Sequence, residues 1–393
     1  MKKYIPLCLV LSSILSLQLY AAEKPRRFVE FGVDLGGGLA NNLTGVRDIM
    51  KKQVYLDMDA LSRSIKDHGI DLNADIESAV FFNFNIGELW GFGISTGVEG
   101  SINGNIPKSF FTLLTEGNIH QHNFEGDFTI FGGIYTNTAL DVHATFGKIR
   151  VGVIPALFVP LIYIPRSGIN YGLYTDDNLS AHAKADIQIY SPFSLENPDP
   201  SVAMQGSGFD LSLQGEYALL PFLDLGGTLS HIPLGGAELK HKLQISTDTY
   251  EINGDKILEG EGLDIPDFEL KREYTTGSYR VFRPLRFDVY ALWRPLLVDF
   301  FSLRPNIGFT HVFGADIPPY FNAGLEVRLS VLRLLFFHVG TGYEESVWRH
   351  RLGFALNLRI FEVDLEAGLR SQDFEKSFNL QGASVKVGLR LGF

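Results

Sequence analysis

The segment from Ser384 to Phe393 (SVKVGLRLGF) alternates without a break. Successive strand side chains point to opposite sides, so Val385, Val387, Leu389, Leu391 and Phe393 share one face. Ser384, Lys386, Gly388, Arg390 and Gly392 share the other. A strand that is apolar on one side, charged or tiny on the other, and ends on an aromatic suits a wall between lipid and water. A half-buried soluble strand has the same period, so recurrence has to decide. The pattern does recur. Phe361, Val363, Leu365, Ala367 and Leu369 alternate with Glu362, Asp364, Glu366, Gly368 and Arg370; Phe321 to Val331, Leu285 to Arg294, Arg351 to Ile360 and Phe209 to Glu216 repeat it. Soluble sheets rarely keep both faces this regular over so many segments.

The chain opens with features of an export signal. Lys2 and Lys3 precede an apolar stretch from Ile5 to Leu19, and Ala21-Ala22 offers small residues for cleavage, so 1–22 reads as a signal peptide and 23–393 as the mature chain. The single cysteine, Cys8, lies inside that segment, which leaves no disulfide, thiolate nucleophile or sulfur-held metal afterwards. Removing the two lysines makes the formal charge of -11 more negative still, which argues against a nucleic-acid partner.

No linker, composition shift or βαβ alternation divides the remainder. No later run reaches the ~20 apolar residues of a spanning helix; Val153 to Ile164 is short and broken by Pro155 and Pro160. An exported chain rich in Phe, Tyr and Gly without such a helix fits an outer-membrane barrel, where closure satisfies the backbone. The connections alternate in length. Short turns fall near Gly87–Leu89, Gly147–Lys148, Leu220–Pro221, Pro295–Leu297, Leu332–Leu334 and Ile360–Phe361. Long connections fall at 165–206 and 233–283, which read as extracellular loops, with shorter ones between. With Phe28 to Leu35 as the first strand, the all-β reading is a transmembrane barrel of about fourteen antiparallel strands. Phe393 then serves as the assembly signal.

Segment 36–78 stands apart. It begins with Gly36-Gly37-Gly38 and Asn41-Asn42, a turn-prone entry, and continues with a short helix from Asp57 to His68 before Gly69. Met58, Leu61 and Ile65 share one face of that helix. An outer loop with a short helix fits these residues, and so does a hatch folded into the lumen; the apolar stripe favours the hatch, because it needs something to bury against.

Three stretches carry a resemblance: GGGLANN (Gly36 to Asn42), FFNFNIGELWGFGIS (Phe81 to Ser95) and IRVGVIPALFVPLIYIP (Ile149 to Pro165). With the terminal Phe393 they make the chain similar to the long-chain fatty-acid-transporter-like (FadL-like) outer-membrane proteins, particularly divergent spirochaete members. The resemblance implies a fourteen-stranded barrel with an N-terminal hatch and an apolar pocket, taking up hydrophobic molecules such as long-chain fatty acids. The Asn-Pro-Ala beginning of better-studied members is absent here.

The motifs for other chemistry are weak. Gly93-Ile94-Ser95-Thr96-Gly97 matches a nucleophile-elbow pattern, yet it lies within an alternating strand and not at a strand-to-helix turn. His120, His122 and Asp127 fall short of a convergent ligand set. Asp364 and Glu366 share the inward face with Glu362, Arg351, Arg359, Arg370, Lys386 and Arg390, which suits a salt-bridged lumen wall better than an acid/base pair. No catalytic group, metal or cofactor is expected. The partners are a hydrophobic solute, outer-membrane lipids and the barrel-assembly machinery. Pro155 and Pro160 cannot donate to a ladder, so either a lateral seam lined by Leu157 and Phe158, or a simple bulge, is expected there. A surface protein with a structural or adhesive role and a general porin remain the alternative readings.

Overall fold

The computed structural model describes residues 27–42, 63, 65, 67–87, 89–116, 124–174, 180–247, 250–253, 270–295, 300–314, 318–331 and 334–393. The expected signal peptide at 1–22 lies outside them. No described helix is long and apolar enough to cross a membrane.

Among the described residues, eighteen strands form one sheet, and fourteen of them close into an antiparallel ring. The circuit starts with β1 (Val29–Asn41), β2 (Ile70–Ile86), β3 (Trp90–Ile106), β4 (Phe124–Phe146) and β5 (Ile149–Tyr174). It continues through β7 (Gly208–Leu220), β8 (Leu223–Gly235) and β12 (Leu285–Trp293). It ends with β13 (Phe301–His311), β14 (Tyr320–Val331), β15 (Leu335–Glu344), β16 (Val347–Asn357), β17 (Phe361–Ser371) and β18 (Ala383–Gly392). β18 returns to β1 with Phe31 opposite Leu391 and Val33 opposite Leu389. The closing hydrogen bonds are mutual: Val29 N–H donates to Phe393 O at 3.2 Å, and Phe393 N–H to Val29 O at 3.1 Å. Closure leaves no strand edge to hydrate, the condition for crossing a bilayer with strands.

The outward face is as the alternation requires. Leu35, Ile94, Ile307, Phe321, Leu352 and Val385 are each more than half exposed. A soluble protein would bury such a belt; a bilayer covers it. Aromatics mark both ends of the belt. Phe28, Phe84 and Phe393 meet at the short-turn end, where Trp90 lies against Phe146 and Trp293 against Phe301. Tyr343, Trp348, Phe374 and Phe378 cluster at the other. Aromatic girdles at two levels are the signature of an outer-membrane barrel.

Two expectations change. The long connections 165–206 and 233–283 contain four further strands: β6 (Ser180–Ser191), β9 (Ala237–Ser246), β10 (Tyr250–Asn253) and β11 (Lys271–Val281). The pairings β5–β6, β6–β9 and β9–β11 form a crown above β5, β7, β8 and β12. β6 and β9 each keep one apolar face, Ala185, Ile187 and Ile189 on the first and Leu239, Leu243 and Ile245 on the second, whereas β11 is polar on both. The second change concerns 36–78. Gly36 to Asn41 belong to β1 and Ile70 to Ser78 to β2, so the insertion between strands is shorter than the hatch expected from sequence. The glycine run lies within the strand: a side chain on Gly38 would meet the Arg370 guanidinium and one on Gly37 would crowd Asp75 O at 3.1 Å, whereas one on Gly36 would make only ordinary contact with Lys386. The expected helix from Asp57 lies mostly outside the described residues; Gly69, just before β2, has a positive φ of 94°.

Candidate functional site

The inner surface is lined by charge. On β14 to β18, β1 and β2, side chains that the alternation turns inward pair between adjacent strands and across one or two intervening ones. Arg390 reaches Glu362 at 2.7 Å and Asp34 at 3.4 Å, and Arg27 reaches Glu362 at 3.6 Å. Lys386 holds Glu77 at 3.1 Å, Arg370 pairs with Asp75, and Arg351 binds Glu344 at 3.0 Å. His338 meets Glu366 at 2.9 Å. Glu362, only 2% exposed, is tolerable there because two guanidiniums answer its charge. The carboxylates Asp364 and Glu366 are thus engaged with cations.

Arg359 is a correction to this set. β16 ends at Asn357, and Arg359 sits in the following turn with φ of 69°, its N–H donating to Asn357 Oδ1 at 2.9 Å. Its side chain is exposed at the rim and does not line the lumen. The apparent alternation through Arg359 arose because a tight turn carried on the strand's parity by chance. Ser95 lies within β3, directly after exposed Ile94, away from any elbow.

A second set of contacts forms chords across the ring. At the join between β11 and β12, Arg283 bonds Asp210 of β7 through two nitrogens at 2.7 and 2.8 Å and Glu99 of β3 at 2.8 Å. Tyr163 of β5 donates to the Phe313 carbonyl beyond β13 at 3.4 Å. Phe158, Tyr135, Tyr163, Tyr190, Leu239 and Val281 make one apolar cluster at this level, with Arg283 5.6 Å over the Phe158 ring. Sequence reasoning missed Arg283, His338 and the tyrosines. His338 could have been found by its inward parity between Phe337 and Val339. The tyrosine cluster is assembled from five strands and leaves no local pattern.

The residues expected to hold a solute do not converge. Met58 and Leu61 lie outside the described residues. Ile65 is buried against Ile70 and Phe111, at the outer ends of β2 and β3 and in a cluster separate from that of Phe158. Phe111 belongs to α1 (Lys108–Glu116), which follows β3. Along β5, Pro155 is exposed opposite Leu211, while Phe158 and Pro160 are fully buried. The expected apolar gap surface from Ala156 to Val159 is therefore covered: Ala156 and Val159 are about 5% and 4% exposed. The irregularity itself is present. β5 pairs with β7 as far as Phe158 and with β6 from Tyr163, so Pro160 falls where that side of the strand changes partner. A residue without an N–H is tolerated there. His120 and His122 lie outside the described residues, and Asp127 accepts from Asn170 at 2.8 Å.

The course of the backbone matches known channels. A TodX deltaS2S3 mutant, a monoaromatic hydrocarbon channel, aligns with a TM-score of 0.50 at 9% identity, covering 94% of this chain and 91% of that one. CymD, also a monoaromatic hydrocarbon channel, aligns at 0.50 and 8% identity, covering 94% and 89%. This chain shares their fold. A Pseudomonas aeruginosa FadL homologue aligns at 0.49 and 11% identity, covering 93% and 90%. No family model matches the sequence, and no curated protein matches it.

Proposed function

We propose that this barrel is an outer-membrane channel for uptake of hydrophobic small molecules, long-chain fatty acids among them. The observation that carries the reading is the set of chords. Arg283 ties β7 and β3 together through the lumen, and Tyr163 reaches the connection after β13. A general porin keeps its middle open to water, whereas a channel for apolar solutes needs a dry crossing point above its polar lumen. Similarity of fold to hydrocarbon channels supports the same reading. The segment between β1 and β2 is the hatch in this scheme. The barrel-assembly machinery inserts the chain by its Phe393 end, and outer-membrane lipids surround the belt.

Exit follows the partner change of β5 at Pro160. Pro155→Val with Pro160→Val should complete the ladder there and slow uptake of a labelled fatty acid at matched surface expression. Unchanged uptake would exclude a lateral exit while leaving uptake itself standing. For the function as a whole, the purified barrel in a planar bilayer should show almost no open-pore conductance. Cells expressing it should take up labelled oleate or toluene faster than cells without it. Large, steady ion conductance with no such uptake would make the protein a porin instead.

A further inference from the structure

The connection between β17 and β18 lies against the outside of the wall. On β15 and β16 the lipid-facing side chains pair in one row, Val339 with Leu352, Thr341 with His350 and Tyr343 with Trp348. The single turn α2 (Phe374–Ser377) packs on the extracellular half of that row. Phe374 is 4.8 Å from Trp348, and Phe378 stacks on the His350 ring at 4.4 Å. His350 is seven residues from Asn357, where β16 ends at the short-turn side. That is roughly 23 Å along the strand and about 18 Å along the membrane normal after tilt, inside an apolar band of about 25 Å. Trp348, two residues further, reaches about 23 Å. The rings of this connection therefore meet the wall at or just below the upper boundary of the band.

An irregular segment at that depth has to satisfy its own polar groups, because lipid offers no hydrogen bonds. This one is built that way. Asp373 N–H donates to Ser371 Oγ at 3.1 Å, Glu375 N–H to Asp373 Oδ1 at 3.1 Å, and Ser377 N–H to Asp373 O at 2.9 Å. Arg370 N–H donates to Gly382 O at 3.0 Å, and the Asn41 amide donates to Gln381 O. A side chain on Gly382 would run into Leu39 O and the Ala40 backbone, so this glycine lets the segment lie flat on the rim. At the centre, the Ser377 hydroxyl donates to Phe374 O, which leaves its oxygen to accept from His350 Nε2 at 2.7 Å; His350 Nδ1 in turn accepts from Thr341 Oγ1 at 2.9 Å. The imidazole is thus held neutral, with both nitrogens engaged. Phe374 and Phe378 stay 46% and 56% exposed beside it. Glu375 and Asn379 are exposed on the other side of the turn.

We infer that residues 372–382 form a foot resting in the outer leaflet, with the Phe374 and Phe378 rings immersed among the upper acyl chains of a lipid surface. Lipid is the occupant because the foot continues the lipid-facing row of β15 and β16 and lies at a depth the band already covers. The inference rests on the outer-membrane location and is independent of what the barrel carries. To test it, Trp90→Phe, Trp293→Phe and Trp348→Phe remove the native tryptophans; Phe378→Trp then reports from the foot, and Tyr274→Trp from the exposed crown strand β11. Each barrel, verified as folded by heat-modifiable migration, is reconstituted into phosphatidylcholine vesicles with and without dibrominated phosphatidylcholine. Brominated lipid should quench the Phe378→Trp emission at least twofold and leave Tyr274→Trp unchanged, while acrylamide should do the reverse. Quenching of Phe378→Trp by acrylamide and not by brominated lipid would overturn the foot. Quenching by neither, in a barrel that sediments as a dimer, would assign this surface to a second copy of the chain and overturn it as well. If the tryptophan-free background does not fold, a spin label on Phe378→Cys gives the same readout, since the chain has no cysteine after Cys8. Dissolved oxygen should then relax the label faster than a water-soluble nickel chelate does, and the opposite order would overturn the inference.

Discussion

Leu365→Arg offers the most direct measure of the lipid-facing wall. Leu365 is 46% exposed on the outer face of β17, and its cross-strand row reads Phe337, Phe354, Leu365, Val387 and Leu35. An arginine there has no polar neighbour in its row. The nearer strand end, Phe361, is four residues away. That is roughly 13 Å along the strand and about 10 Å along the membrane normal after tilt, farther than the side chain can snorkel. The substitution should therefore carry most of the midplane penalty of about 2–4 kcal/mol, a shift of roughly 30-fold to 700-fold in the folding equilibrium. Reversible guanidinium unfolding from phospholipid vesicles, followed by tryptophan emission, measures it. Ser330→Arg, which points into the polar cavity beside Glu326, is the control and should lose less than about 1 kcal/mol. Equal losses at the two sites would refute the assignment of faces on which the whole barrel rests.

Other outcomes follow from the ion pairs and the closure. Arg390→Met strips Glu362 of one of its two cations and should destabilise by about 3–5 kcal/mol, seen as a lower midpoint of heat-modifiable migration; a loss below about 1 kcal/mol would mean that Arg27 alone suffices. Deleting Phe393 removes both closing hydrogen bonds with Val29 and the ring beside Phe28, and membrane insertion should fall severalfold; normal insertion would show that closure does not depend on the last residue. An epitope inserted within 254–269, between β10 and β11, should label intact cells, whereas the same epitope within β9 should disrupt pairing with β6 and β11. Surface labelling that is absent with a folded barrel would reverse the orientation.

Much of this architecture was legible because a barrel writes its geometry at period two. The ring strands from β2 to β18 fall where the alternation and the short turns put them, and Lys386, Arg390, Glu362 and Glu366 face inward as parity requires. Parity fails where a turn extends it by accident, as at Arg359, and a glycine run misleads where it continues a strand, as Gly36 to Gly38 continue β1. The crown was hidden for a different reason. β11 carries polar residues on both faces, and the small apolar faces of β6 (Ile187, Ile189) and β9 (Leu239, Leu243, Ile245) sit inside otherwise polar connections. The apolar cluster around Phe158 is less legible still. Its members, from Tyr135 to Val281, come from five strands, and no spacing announces their meeting.

The hydrogen-bonded circuit of the barrel passes from β5 to β7 to β8 to β12 without using the crown at all. The wall is therefore sealed before β6, β9, β10 or β11 has been placed. For a protein facing a changing environment, that separates two liabilities. The outward display can lengthen, shorten or be exchanged as a unit, while the membrane seal is inherited intact from the staves beneath. The exception is Phe158, which stands in the lower wall and is covered in part by Leu239 and Val281 of the crown. Any exchange of the display must bring its own apolar lid for that one ring.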